Sequence, residues 1–199
     1  MHRLEAFSDV VIGFCIAEMG INLLVPKTPA QLPGIAVGTT GFAISFVLIA
    51  IVWWIHHRLF KSLFVLNTVM VMLNFAMLGS LVLMVYFQQI SLHFIADGDR
   101  AEPAVQLWLV TYSVVYALLA AMMWIGVRIR WDTLAVADLR WGLSRAILAS
   151  VGTLIFVAYG FYFQFRGTTR SLLIVPFVVI VTIRLLVPRL IDRLVVRRA

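Results

Sequence analysis

The first apolar run of the chain carries two carboxylates and an amide, Asp9, Glu18 and Asn22. A charge at membrane depth costs about 2.5–3.5 kcal/mol on insertion scales, so each carboxylate implies a partner or a purpose. On a helix advancing 100° per residue, Phe7, Val11, Phe14, Glu18, Ile21 and Val25 share one stripe. Ala17 flanks it on one side and Asn22 on the other. The chemistry open to such a stripe is the binding of a cation or a proton at Glu18. The structural alternative is a protonated glutamic acid, hydrogen-bonded inside a helix bundle. At 1.5 Å per residue Glu18 stands about 18 Å from the inner end of its helix, where no Lys or Arg is evident.

Asp9 sits lower, at the level where the second apolar run ends in Trp54, His56, His57 and Arg58. Asn67 opens the third run at the same level, and Arg184, one turn from the end of the last run, matches Asp9 in depth. Arg3, Ser8, Asp9 and one of His56 and His57 are expected to form a polar knot. Such a knot either staples helices together, at about 0.6 kcal/mol per hydrogen bond, or forms part of a gate.

Other chemistries find no footing. His56 and His57 are neighbours pointing 100° apart, so they cannot chelate one metal from a single helix face. No Ser/His/Asp constellation, HExxH motif or glycine-rich phosphate loop occurs. The reading is therefore of a non-enzyme without metal or cofactor. Cys15, the single cysteine, lies inside an apolar run and reads as a small packing residue.

The elements that must position these residues follow from composition. Of 199 residues 63% are hydrophobic and 13% charged, where a soluble domain is about half apolar and a quarter charged. With a mean hydropathy of +1.03, the chain reads as an all-α integral membrane protein. A ruler of about 20 apolar residues gives six spans, 7–25, 34–55, 63–87, 105–127, 146–165 and 171–188, in a single domain covering 1–199. No cleavable signal peptide is expected, since Asp9 and Glu18 interrupt the first run. Gly34 and Gly38 fit a small-xxx-small pattern of close helix approach.

The formal charge is +7. Its basic residues fall between the spans, which points to topology and membrane lipid, not nucleic acid. Eleven Lys/Arg, from Arg3 to Arg198, fall on the side of the termini and four on the other. That imbalance places both termini in the cytoplasm. No strong internal repeat appears, which counts against an inverted-repeat transporter.

The opening Arg3-Leu-Glu-Ala-Phe7-Ser8-Asp9 resembles the RxxxFSD signature of the transmembrane protein 175 family, endosomal and lysosomal potassium channels with bacterial relatives. Trp54-Ile-His56-His57-Arg58-Leu-Phe60, followed by Asn74, is similar to that family's next block. The resemblance covers about the first 75 residues. It implies a six-helix bacterial-type subunit in a cell membrane, assembled as a homotetramer around a pore lined by the first helix. It also implies that the FSD segment packs against the second and third helices. Aligned from Asp9, Phe14 falls at the family's apolar constriction and Ala17 where a threonine tied to potassium preference is usual. Glu18 falls where leucine is usual, and Ile21 and Val25 continue the lining.

The function implied is a cation channel permeable to potassium and other monovalent cations. Its hydrophobic constriction replaces a carbonyl filter. A proton pathway or proton-coupled transporter using Glu18 is the second reading, and a non-conducting scaffold the third.

Overall fold

A computed structural model describes residues 2–23, 28, 32–97 and 102–166. Five helices follow one another: α1 (His2–Ile21), α2 (Leu32–Ser62), α3 (Thr68–Asp97), α4 (Glu102–Ile129) and α5 (Val136–Arg166). The sixth expected span at 171–188, Arg184 within it and Val25 lie outside the described residues.

α2, α4 and α5 run further than the apolar ruler at both ends because their polar ends stay helical, whereas α1 ends at Ile21 instead of 25 and α3 begins at Thr68 instead of 63. α2 has 31 residues. At 1.5 Å per residue it is about 46 Å long, against about 30 Å of bilayer core. α5 begins at Val136 and carries Asp138, Arg140 and Arg145 ahead of its apolar stretch. Gly38–Ser62, Thr68–Ile95, Glu102–Ile129 and Val136–Phe161 are long and apolar enough to cross a membrane. This is a multi-pass membrane protein. On composition α1 does not join those four, since Glu5, Asp9 and Glu18 all fall within its 20 residues.

The helix ends are secured locally. Asn67, read above as part of the inner polar level, caps α3: its Oδ1 accepts the Met70 backbone N–H at 2.8 Å. At the end of α2 the Ser62 carbonyl accepts the Arg130 guanidinium at 2.5 Å, which satisfies an orphan carbonyl with a cation. Arg58 lies 4.6 Å over the Trp141 ring of α5. Both contacts tie the α2–α3 turn to the α4–α5 hairpin.

α3, α4 and α5 stack closely around Met77, Leu81, Leu119 and Met122, all fully buried. Without water to drive helices together inside a bilayer, such seams depend on close van der Waals fit. Two glycines mark the tightest point. A Cβ on Gly126 would lie 2.5 Å from the Leu63 carbonyl oxygen, and one on Gly142 would lie 2.8 Å from Val127. Leu63 is thereby wedged between α4 and α5. At the other end of α2, Gly41 admits Leu92 of α3.

Candidate functional site

α1 is apolar on nearly every side, so hydropathy alone leaves its rotation open. Packing settles it. Ser8, Ile12, Cys15 and Met19 are buried, at the i, i+4, i+3 spacing of one helix stripe, and they face α2 and α3. The opposite stripe therefore points out of the subunit. Phe7, Val10, Phe14, Ala17, Glu18 and Ile21 are all exposed, Phe14 by 71% and Ile21 by 82%. Val11, placed on this stripe from the sequence, is half-buried against the core, and Val10 takes its position. Beside the stripe Gly13 faces open space.

Glu18 makes no ion pair among the described residues. Asn22 does not shield its carboxylate. The Asn22 amide donates to the Glu18 backbone carbonyl at 3.0 Å and to Gln89 Oε1 of α3 at 3.2 Å. Glu18 thus stands bare on an apolar face with Phe14 one turn below and Ile21 above.

Two polar groups hold α1 in this orientation. In the first, Asn74 of α3, fully buried, donates its amide to Ser8 Oγ at 3.1 Å. Ser8 spends its own proton on the Leu4 carbonyl at 2.9 Å. Asn74 Oδ1 lies 2.8 Å from His56 Nε2 of α2. Since that oxygen can only accept, His56 carries its proton on Nε2, and a one-way chain runs His56, Asn74, Ser8, Leu4 across three helices. The remaining ring nitrogen of His56, Nδ1, is buried with no partner among the described residues.

The second group clamps α1 to α2. Trp53 Nε1 donates to Asp9 at 2.9 Å, and His57 Nδ1 lies 3.2 Å from Glu5. The Trp53 and His57 rings stack, 5.7 Å apart. Phe7 meets Phe75 of α3 edge to face at 5.7 Å.

Of the residues expected in the knot, Ser8, Asp9, His56, His57 and Asn74 are brought into these groups. Arg3 and Trp54 are exposed and outside both. Sequence reasoning missed Glu5 and Trp53. The signal was present: Glu5 and Asp9 are four apart on α1, as Trp53 and His57 are on α2. Two antiparallel helices bring such pairs face to face. Among the described residues no three His, Cys, Asp or Glu side chains gather to hold a metal.

At the end of this packing away from Ser8, α1, α2 and α3 part around a cavity of about 620 Å³, bordered by Met19, Asn22, Phe42, Ser45, Gln88 and Leu92. The Gln88 amide donates to Ser45 there.

Comparison with known proteins converges on these helices. Residues 3–84, spanning α1, α2 and half of α3, match the family described as endosomal/lysosomal potassium channel TMEM175. No curated protein sequence matches the chain. Among solved structures the chain resembles the potassium channel MtTMEM175, crystallised as a threonine-to-alanine variant in complex with a nanobody–MBP fusion protein. The TM-score is 0.63 at 18% identity, over 96% of this chain and 93% of that one. Five apolar helices in this arrangement are therefore a known fold, and the polar groups that orient α1 fall within the matched segment. Through residues 3–84, the chain is similar to the endosomal/lysosomal potassium channel TMEM175 family.

Proposed function

We propose that the chain is the subunit of a homotetrameric cation channel, permeable to potassium, whose conduction path is lined by α1. The observation that carries this reading is the exposed stripe Phe7, Val10, Phe14, Ala17, Glu18 and Ile21. A membrane helix with a bare carboxylate on its outward stripe is poorly suited to lipid and well suited to a water-filled axis. The family match over residues 3–84 and the fold shared with a potassium channel support the same conclusion.

In the tetramer four Phe14 rings form the narrowest point, a hydrophobic constriction that closes by dewetting. Four Glu18 carboxylates lie one turn further out and concentrate cations before it. Ile21 lines the outer approach. Ala17 presents no hydroxyl to the path, so discrimination rests on the Glu18 ring and the width at Phe14.

Purified protein in liposomes, with potassium, sodium and proton flux measured under imposed gradients, tests the proposal. Potassium flux that discharges a membrane potential is expected, and Phe14→Ala should raise it by widening the constriction. Proton flux alone, abolished by Glu18→Gln, would replace the channel with a proton pathway through Glu18. No flux in either the native protein or Phe14→Ala would favour a scaffold.

A further inference from the structure

At the end of the molecule that carries the α4–α5 turn, a second cavity of about 470 Å³ opens between α4 and α5. Trp124, Arg128 and Trp131 line it from one side and Leu143 from the other, with Ile125 and Val127 as its floor. Trp124 and Arg128 stand one turn apart on α4 and Trp131 follows in the turn after it, so one cation lines the cavity with two interfacial rings. Trp124 is fixed by donating its Nε1 proton to Ser150 Oγ of α5 at 3.2 Å.

The neighbouring cations are committed. Arg130 holds the Ser62 carbonyl, Arg58 covers Trp141, and Arg140 and Arg145 have interactions of their own. Asp132 has an interaction of its own as well. Arg128 is exposed and, among the described residues, makes no ion pair. An unpaired guanidinium at the mouth of an apolar slot, at the level where α4 leaves the bilayer, matches an anion that carries its own hydrocarbon.

We propose that this cleft is a binding site for an anionic phospholipid of the leaflet facing the chain's N-terminus. The phosphate sits on Arg128 and an acyl chain lies along Trp124 and Leu143. A free phosphate would satisfy Arg128 and leave the slot empty, so the apolar lining favours the lipid. The site stands apart from α1, and its test does not depend on conduction.

Native mass spectrometry of the detergent-purified protein with phosphatidylglycerol and phosphatidylcholine of the same acyl chains reads it out. The native protein is expected to retain phosphatidylglycerol preferentially. Arg128→Gln should lose about fivefold of that preference, the worth of one interfacial charge, with phosphatidylcholine retention unchanged. Arg128→Lys should keep most of it. Leu143→Trp, which fills the slot and leaves the charge, should lower retention of both lipids. An unchanged preference in Arg128→Gln would overturn the proposal. So would loss of the folded oligomer in Leu143→Trp alongside full lipid preference in Arg128→Gln, because the slot would then be filled by protein.

Discussion

Replacing Asn74 by Ala removes the centre of the chain that joins α1, α2 and α3. Two side-chain hydrogen bonds go, to His56 and to Ser8. Inside membrane proteins these average about 0.6 kcal/mol each, or about 1.2 kcal/mol together. The larger loss is at His56. Its Nδ1 already lacks a partner, so without Asn74 the buried ring is left with neither nitrogen bonded among the described residues. Stranding one buried donor adds about 1–3 kcal/mol. Ser8 keeps its bond to Leu4 and contributes little. The sum is a destabilisation of about 2–4 kcal/mol, most of it from the stranded histidine.

That division is itself testable. In mixed micelles titrated with a denaturing detergent and followed by circular dichroism, Asn74→Ala should lose stability in this range. Adding His56→Phe removes the stranded donor and should recover a large part of the loss, since replacing both partners by apolar groups is close to neutral. Ion preference in liposomes should not change in either protein. A loss below about 0.5 kcal/mol, or no recovery in the double variant, would refute the assignment of Asn74 as the shared partner of His56 and Ser8.

Further expectations concern the exposed stripe, the clamp and the seams. Glu18→Leu should leave assembly intact, as judged by size-exclusion chromatography, and shift cation-over-anion preference by about fivefold, the effect of about 1 kcal/mol of attraction in water-filled surroundings. Equal permeability ratios in both proteins would remove Glu18 from the path. Asp9→Ala loses the Trp53 bond and should cost about 1 kcal/mol of stability while leaving ion ratios alone. Unchanged stability with altered selectivity would place Asp9 in the proposed conduction path instead. Gly126→Ala drives a Cβ into the Leu63 backbone carbonyl and should cost about 1–3 kcal/mol. Gly41→Ala meets only the movable end of Leu92, which borders a cavity and can turn aside, so it should be nearly neutral in the same titration.

The membrane class was legible because long apolar runs are a pattern that a one-dimensional sequence carries, whereas the outward direction of the α1 stripe was implied only by the family resemblance. The choice between Val10 and Val11 was not legible, since an apolar helix gives no preferred face and its rotation is set by Ser8 meeting Asn74. The choice between Trp53 and Trp54 failed for a related reason. Family resemblance points to Trp54, whereas the four-residue spacing to His57 points to Trp53, which bonds Asp9. Most helix ends ran past the apolar limits because hydropathy reports where hydrocarbon is and not where hydrogen bonding stops. The Arg130–Ser62 contact and the Leu63 wedge leave no mark in the sequence, as one uses a backbone acceptor and the other the absence of a Cβ.

The chain linking Leu4, Ser8, Asn74 and His56 also sets an order for biosynthesis. Ser8 and Asn74 are 66 residues apart. At translation rates of about 5–20 residues per second, roughly 3–13 s separate their emergence from the ribosome. Throughout that interval α1 has been made, yet the partner that fixes its rotation does not exist. Glu5 and Asp9 likewise wait for His57 and Trp53 of α2. A nascent helix bearing three carboxylates gains these contacts only once α2 and α3 have emerged, so its rotation is fixed after theirs can begin. Of these three helices, the earliest made is the one whose rotation waits on the other two.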